Sequence, residues 1–506
     1  MSLSVAYTRA AIGIQAPQVC VEVHLSSGLP ALSMVGLPET AVKEARDRVR
    51  SAIINCGFSF PAKRITVNLA PADLPKEGGR FDLPIAIAIL AASEQIPAEK
   101  LTQYEFLGEL ALTGALRGVQ AVIPAALAAQ EAGRQLILPM ENLTEVGLIQ
   151  QGDNLLARDL LEVCAFLHGG AQLEHASVQH DDLPPAEGDL QEVIGQQQAK
   201  RALEIAAAGG HNLLLIGPPG TGKTMLATRL NSLMPPLNDR EALESACIAS
   251  LVRSDDMRSH WRQRPFRSPH HSASLFALVG GGALPKPGEI SLAHNGVLFL
   301  DELPEFERRA LDALREPLES GEIGISRARA KVTYPARFQL VAAMNPSPTG
   351  YYNGPHNRSS PQQTLRYLSR LSGPFLDRFD LSLEVPLLPT GTLSAQRSDS
   401  ESSSTVRQRV INARARQLKR VGKVNALMSH HEIKDYCALQ SEDAEWLEQV
   451  LNQLGLSIRA WQRILKVART IADLAEKREI NREHLLEAVS YRGMDRLLIH
   501  LQKSLE

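Results

Sequence analysis

NLLLIGPPGTGKT, residues 212–224, decides the fold. Leu213 to Ile216 read as a short buried strand that runs directly into Gly-x4-Gly-Lys-Thr, and that strand context is what gives the pattern a mechanism. Gly217, Gly220 and Gly222 let backbone N–H groups close around phosphate oxygens, with Pro218, Pro219 and Thr221 completing the loop. A helix beginning near Lys223 adds its dipole, the Lys223 ammonium reaches the β and γ oxygens, and the Thr224 hydroxyl is placed for Mg2+. The loop therefore points to ATP as substrate and Mg2+ as cofactor.

Working outward, GVLFLDEL (296–303) is a second apolar strand that ends in two adjacent carboxylates. Adjacent carboxylates at a strand tip are costly unless they meet a cation or move a proton. Asp301 is assigned to the Mg2+ shell and Glu302 to polarising the attacking water, which makes the site hydrolytic. QLVAAMNP places Asn345 just past a third strand, where its amide orients the water or senses the γ-phosphate; an Asn-Pro turn is the plainer reading. In LDRFDL, Arg378 offers a guanidinium suited to transferring phosphoryl charge, although a surface ion pair would explain it equally well.

The strand-like runs Leu213–Ile216, Val297–Leu300 and Gln339–Ala342, each followed by a glycine-rich or acidic turn and then helical sequence, have the rhythm of a doubly wound parallel sheet. Upstream, Val19–Leu25, Arg64–Leu69 and Gln135–Leu138 read as strands, and Thr40–Asn55, Leu83–Ser93 and Ile123–Ala132 as helices. Two stretches break the pattern: 169–189, rich in Gly, His, Pro and acid, and 390–405, which includes TGTLSAQRSDSESSST. Both read as linkers. The expected organisation is a domain over 1–168, a linker over 169–189, an α/β core over 190–389, a linker over 390–405 and a helical domain over 406–506.

The 506 residues carry 54 Lys and Arg against 56 Asp and Glu, with 44% hydrophobic and 22% charged residues. This excludes a disordered chain, a collagen-like chain and a uniformly basic nucleic-acid coat. The charge is unevenly spread: residues 1–180 hold 13 basic and 18 acidic side chains, whereas 396–506 hold 19 and 15. A polyanion is thus expected to meet the second half, at short basic runs. Five dispersed cysteines without CxxC spacing read as buried hydrophobes of a reducing compartment. With no leader-like N-terminus and no apolar run long enough to span a bilayer, the cytoplasm is the default location and no membrane is expected as a partner.

The order of phosphate loop, Asp-Glu strand, Asn after a third strand, LDRFDL and a helical segment resembles an AAA+ ATPase of the branch that contains magnesium-chelatase motors and minichromosome maintenance helicases. RPFRSPHHSAS (264–274), LVGGGALPKPGEISLAHNGVLFLDELPEF (278–306) and RLSGPFLDRFDLSLEVP (370–386) are similar to the ComM/YifB competence ATPases. The resemblance implies that Arg378 is an arginine finger acting on a neighbour's ATP and that Asn345 is sensor 1. It makes Arg459 in LSIRAWQRI sensor 2, with Arg463 as the alternate, and puts Ile194 and Gly195 near the adenine. A finger acting in trans requires a ring, and the family forms hexamers. The implied function is a DNA motor, a helicase promoting branch migration in recombination or natural transformation on single-stranded or branched DNA. A protein remodeller or scaffold, or a chelatase-type motor, is the alternative.

The 77 positions separating Thr224 from Asp301 exceed what one helix and one strand need. In this branch the excess is an insertion projecting into the ring channel, here including SPHHSASLFALVGGG, which reads as a mobile loop. His270 and His271 lack a carboxylate or thiol at ligand spacing, so a hydrogen-bonding or DNA-contact role is favoured over zinc. GEIGISRARAKVTYPAR (321–337) resembles the pre-sensor hairpin. Period-two alternation puts Arg327, Arg329 and Lys331 on one face, with reach to a phosphate backbone; a charge-protected hairpin edge is the alternative. The basic run from Arg407 to Lys423 reads chiefly as a solvated helix face.

LPKEGGRFDLPIAIAILAAS (74–93) and LGELALTGALRGVQAVIPAALAAQEAGRQLILP (107–139) resemble the proteolytic domain of Lon-type proteases and the matching domain of RadA-type recombination proteins. The implied fold is α/β: an AAA+ P-loop core with a helical lid, preceded by a Lon-protease-like (ribosomal protein S5 domain 2-like) α+β domain. The Ser and Lys of the Lon dyad fall on Arg80 and Ile123, which cannot fill those roles. Lys63, Arg64, Lys76 and Arg80 are then candidates for polyanion contact or for surface salt bridges. Many relatives carry four cysteines after the sensor-1 Asn; the matching positions here are Ser347, Thr349, Asn357 and Ser359, so no zinc is expected.

Overall fold

Two sheets organise the chain. The computed structural model describes residues 2–36, 39–178, 188–252, 257, 259–326, 330–392 and 400–505. Arg327 and Arg329 lie outside the described residues.

The first sheet has eight strands in the order β8-β7-β6-β5-β1-β2-β4-β3. They are β1 (Ser2–Arg9), β2 (Gln18–Ser26), β3 (Ala31–Val35), β4 (Arg64–Ala70), β5 (Tyr104–Phe106), β6 (Gln135–Pro139), β7 (Leu155–Ala157) and β8 (Glu174–His175). In β2 the buried positions alternate strictly, so Val19, Val21, Val23 and Leu25 form one apolar face. Helix α1 (Glu39–Asn55) and helix α2 (Asp82–Ala92) cover that face, and every residue of α2 is buried. Pro84 is accommodated because the N–H groups of a first turn have no intrahelical partner to lose. At the same end, the Asp82 carboxylate accepts Arg48 Nε at 2.6 Å and the Leu110 N–H at 3.2 Å. Burial outweighs both and raises the Asp82 pKa to about 6.

Lys76 and Arg80 do not face solvent. Lys76 Nζ donates to the carbonyls of Pro71 and Leu74, and Arg80 Nη1 donates to Gln120 O at 3.1 Å. Desolvation lowers the Arg80 pKa to about 10. Of the four cations considered for polyanion contact, only Lys63 and Arg64 are exposed.

The second sheet has five strands, all parallel, in the order β10-β13-β16-β9-β17: β9 (Leu213–Ile216), β10 (Phe266–Arg267), β13 (Val297–Leu300), β16 (Gln339–Met344) and β17 (Leu381–Glu384). The central strands β9, β13 and β16 are buried along their whole length, which is why they read as unbroken apolar runs rather than alternating ones. Helix α4 (Gln197–Gly209) precedes the sheet, α5 (Lys223–Leu233) follows the phosphate loop, and α6 (Asp239–Ala249) starts on a capping box formed by Asn238 and Glu241.

The insertion is structured rather than a plain loop. Ser274 caps the short helix α7 (Leu275–Val279), which leads into a small hairpin of β11 (Gly280–Gly281) and β12 (Lys286–Pro287). A second hairpin, β14 (Glu322–Ser326) with β15 (Lys331–Pro335), buries Ile323, Ile325, Val332 and Tyr334 on one face and exposes Lys331 on the other. Of the three cations expected on one face, only Lys331 is among the described residues, and it opens the second strand opposite Ser326.

Helices dominate the C-terminal residues, including α8 (Ser403–Val421), α9 (Ile458–Leu474), α10 (Arg482–Ser490) and α11 (Gly493–Lys503). Apolar side chains of α4, α8 and α9 share one cluster with the second sheet. The basic run on α8 is largely engaged rather than solvated. Arg409 pairs with Glu204 and Glu401, Arg416 with Glu476, Arg420 with Asp473 and Lys423 with Glu432, while Arg414 Nε donates to Ala207 O at 2.8 Å. The elements around the two sheets also meet: Ala121 N donates to Ser250 O at 3.0 Å, and Leu237, Ala242 and Trp261 join the apolar cluster around α3 (Val122–Glu131).

Ile87→Ala, which empties a fully buried position on α2, is expected to lower stability by about 2–5 kcal/mol, whereas exposed Leu112→Ala is expected to change it by about 0.5 kcal/mol or less. Chemical denaturation of the two variants provides the measurement.

Candidate active site

Parallel pairing fixes the site before any side chain is considered. Register partners Ile216 with Met344, and Leu300 with Ala342, bring the carboxyl ends of β9, β13 and β16 to one edge. The phosphate loop leaves that edge at Gly217. A Cβ there would collide with the Val385 carbonyl, so glycine is required by close approach. Gly222 at φ 84 turns the chain into α5 with no side-chain cap, leaving the first-turn N–H groups free for an anion.

Lys223 Nζ lies inside this loop, donating to Gly217 O at 2.7 Å, Pro218 O at 2.8 Å and Asn345 Oδ1 at 3.3 Å. Its pKa is lowered by burial, an effect that Asp301 opposes. Thr224 Oγ1 donates to Asp301 Oδ2 at 2.7 Å. The structure thus gathers Lys223, Thr224, Asp301 and Asn345, drawn from three strands. A hydroxyl and a carboxylate converging beside an ammonium offer the all-oxygen donor set that suits Mg2+, so the residues present fit that ion.

Glu302 sits at φ 52, in the left-handed region, with its N–H bonded to Asp301 Oδ1 at 2.9 Å. Its carboxylate is 60% exposed and lies 2.9 Å from His271 Nδ1. Ile194 is half exposed, and Gly195 has Leu388 and Thr392 close beside it. Gln196 ties this segment to the loop, its Nε2 donating to Pro386 O at 2.8 Å and Thr221 O at 3.4 Å.

Arg378, Arg459 and Arg463 form a separate cluster around Asp377. Arg463 is 9% exposed and donates to the Asp377 carbonyl and, at 3.1 Å, to Asp377 Oδ1. Arg459 is 76% exposed and 4.0 Å from Asp377 Oδ2. Arg378 pairs with Glu319 of the same chain, and burial together with Arg315, Arg459 and Arg463 lowers its pKa. The Arg378 carbonyl accepts Asn212 Nδ2 at 2.9 Å, and two residues on Asp380 Oδ2 accepts buried His211 Nδ1 at 3.0 Å, whose other nitrogen meets Thr470 at 2.7 Å. The loop carrying Arg378 is therefore fastened to both the segment entering the first core strand and helix α9.

Sequence reasoning missed Gln196, Glu319, Asp377 and the partner of His271. His271 was visible as half of a His-His pair, but its contact across the sheet edge leaves no local signal. Positions 347, 349, 357 and 359 do converge: Ser347 and Thr349 hydroxyls lie 3.3 Å apart, Thr349 and Ser359 2.8 Å, and Asn357 Oδ1 accepts the Ser359 N–H at 2.9 Å. Among the described residues, no helix is long and apolar enough to cross a membrane.

A parallel sheet in this order, with a phosphate loop beside an acidic strand tip, is the core of an AAA+ nucleotide-binding protein. Residues 189–393 match the family model for magnesium chelatase, subunit ChlI, residues 21–142 that for subunit ChlI of Mg-chelatase, and residues 400–492 that for the subunit ChlI C-terminal region. The YifB protein of Salmonella typhimurium is 67% identical over 100% of both chains, and that of Escherichia coli 68% over 100% of both. Competence protein ComM of Haemophilus influenzae is 61% identical over 98% of this chain and 99% of its own. The chain belongs to the ComM/YifB family of magnesium-chelatase-like proteins.

The two candidate arginines separate by burial. Arg463→Ala is expected to destabilise the fold by about 1–3 kcal/mol, because it orphans Asp377 acceptors, while Arg459→Ala leaves the melting temperature unchanged and lowers only turnover. Differential scanning fluorimetry paired with ATPase assays distinguishes them.

Proposed function

We propose that this protein is an ATP-hydrolysing ring motor that moves on DNA, a hexamer promoting branch migration or unwinding of recombination intermediates. The observation that carries the hydrolase part is the convergence of Lys223, Thr224, Asp301 and Asn345 at one sheet edge, with the Thr224–Asp301 contact at 2.7 Å. ATP phosphates would lie along the Gly217–Thr224 backbone, Ile194 and Gly195 beside the base, and Thr224 and Asp301 would hold Mg2+. When bound, that ion offsets phosphate charge. Glu302 takes the proton of the attacking water, and Asn345 orients it.

The ring is supported by the Asp377 cluster. Arg378 and Arg459 share one patch that is distinct from the Lys223 cradle, and basic groups presented there suit the γ-phosphate of a neighbouring subunit. The DNA reading is supported by exposed Lys331 on the second hairpin, with Arg327 and Arg329 proposed as companions, and by the relative named competence protein ComM. The N-terminal unit is read as a Lon-like scaffold without a dyad. In support, buried Arg80 reaches the turn before α3, where Ile123 is buried. A chelatase-type motor is the second reading, favoured by the family descriptions; porphyrin-stimulated hydrolysis would mark it.

Lys223→Ala is expected to abolish hydrolysis, Glu302→Gln to retain bound ATP without turnover, and Arg378→Ala to lower kcat by about 10³-fold or more with nucleotide binding intact. ATPase and strand-displacement assays on a panel of single-stranded, forked and branched DNA test the motor. Hydrolysis indifferent to DNA, with no displacement, would overturn it. Genuine DNA affinity should fall with salt, by a log–log slope of about −0.7 for each single-strand phosphate contacted.

A further inference from the structure

The second hairpin has two faces, and the one turned away from Lys331 is covered from both ends of the sequence. Ile323, Ile325, Val332 and Tyr334 are buried there. The insertion supplies part of the cover: Ile325 packs over Gly280, and Tyr334 Oη donates to Pro285 O at 2.6 Å. The N-terminal unit supplies another part, because Ala11, Ile12 and Ile14, in the turn that joins β1 to β2, pack on the same apolar cluster. At the tip of that turn the backbone itself makes the contact. Gly13 sits at φ +59, and a Cβ there would stand 2.8 Å from Val332 Cγ1, so conformation and close approach both call for glycine.

The turn is held firmly from behind. Ala10 N donates to Pro17 O at 2.9 Å and closes its base. Buried Arg9, the last residue of β1, grips Glu105 of β5 through two hydrogen bonds of 2.7 Å and also reaches the carbonyls of Ala16 at 3.4 Å and Ala128 at 3.1 Å. A buried bidentate pair with its remaining donors engaged resists movement. Ile12 packs in addition on the core of the eight-stranded sheet, and Ile14 on the cluster around α3, so the turn is continuous with two apolar clusters of the N-terminal unit. A hairpin touched by the backbone of such a turn takes its position from it.

We infer that this turn is a seat for the second hairpin: through Gly13 and its apolar neighbours the N-terminal unit sets the stance of the strand that carries Lys331, and with it the response of the motor to single-stranded DNA. The functional half of the inference rests on the DNA reading above. It gives the N-terminal unit a task other than peptide cleavage or direct contact with a polyanion.

The test compares Gly13→Ala with Gly57→Ala in the full-length chain. Gly57 lies at φ +82 with nothing within 4 Å of an added Cβ, so its variant carries the backbone strain without the collision. Hydrogen–deuterium exchange over residues 322–335 is expected to quicken about tenfold in Gly13→Ala, the factor for an overpacked contact of ordinary cost, and to keep the wild-type rate in Gly57→Ala. In Gly13→Ala the ratio of hydrolysis with a single-stranded thymidine oligonucleotide to hydrolysis without it should fall toward one, at unchanged basal kcat and KM for ATP. Adding Val332→Ala to Gly13→Ala removes the obstructing methyl and is expected to restore most of both readouts. If Gly13→Ala does not fold, Ile12→Ala, which strips an apolar contact from the same turn without a collision, is judged by the same two measurements. Exchange over 322–335 that is equal in Gly13→Ala and Gly57→Ala overturns the seat. Quickened exchange with an undiminished response to the oligonucleotide overturns its role in the motor. Wild-type hydrolysis indifferent to the oligonucleotide removes the DNA reading and the functional half of this inference together, with the seat itself still decided by exchange.

Discussion

Everything at the nucleotide site depends on the parallel pairing of β9 with β16 and of β16 with β13. Those ladders put Gly217, Asp301 and Asn345 at one edge although the first and last are 128 positions apart in the chain. A slip of one residue along β16 would turn Asn345 away from the edge and push part of the apolar run toward solvent. The complete burial of these strands makes such a slip costly, so the geometry of a polar site is set by apolar packing. Thr224 and Asp301 stand within hydrogen-bond distance because two buried strands have no other way to lie.

The same logic governs the contact between sheet and helices. His211, wholly buried, bridges Asp380, two residues after Arg378, and Thr470 on α9, and Thr470 further accepts Asn425 Nδ2 at 3.0 Å. A buried polar network of this kind tolerates little rearrangement, since each broken bond leaves a desolvated group. Rotation of the helical segment against the sheet would therefore carry Asp380 and its neighbour Arg378 along. The cations of the run from Arg407 to Lys423 act in the same sense. Arg409, Arg420 and Lys423 are spent on carboxylates of the chain itself, so the basic excess of the last hundred residues overstates the charge offered to a polyanion.

Much of the site was legible because its signals are local. Strand, glycine loop and Lys-Thr are contiguous, and the bounds Leu213–Ile216 and Val297–Leu300 read from the sequence coincide with the strands observed. α2, read as a helix over Leu83–Ser93, is observed over Asp82–Ala92, one position earlier at each end, and all of it is buried. Contacts made across the fold were not legible. Nothing near Arg80 in sequence indicates that it turns inward to Gln120, and SPHHSAS does not disclose Glu302 as the partner of its second histidine. β1 was missed as well, although SLSVAYTR is a strand by composition, because serine and threonine dilute its alternation. Sequence order located the chemistry, and only the topology revealed which charges are already paired.

The loop that follows Asn345 is stapled by hydroxyl and amide contacts among Ser347, Thr349, Asn357 and Ser359. None of the five cysteines lies in it, and all five are free. Its order rests on hydroxyl and amide hydrogen bonds, so disrupting any one of them, rather than a thiol, is what would loosen the approach to Asn345.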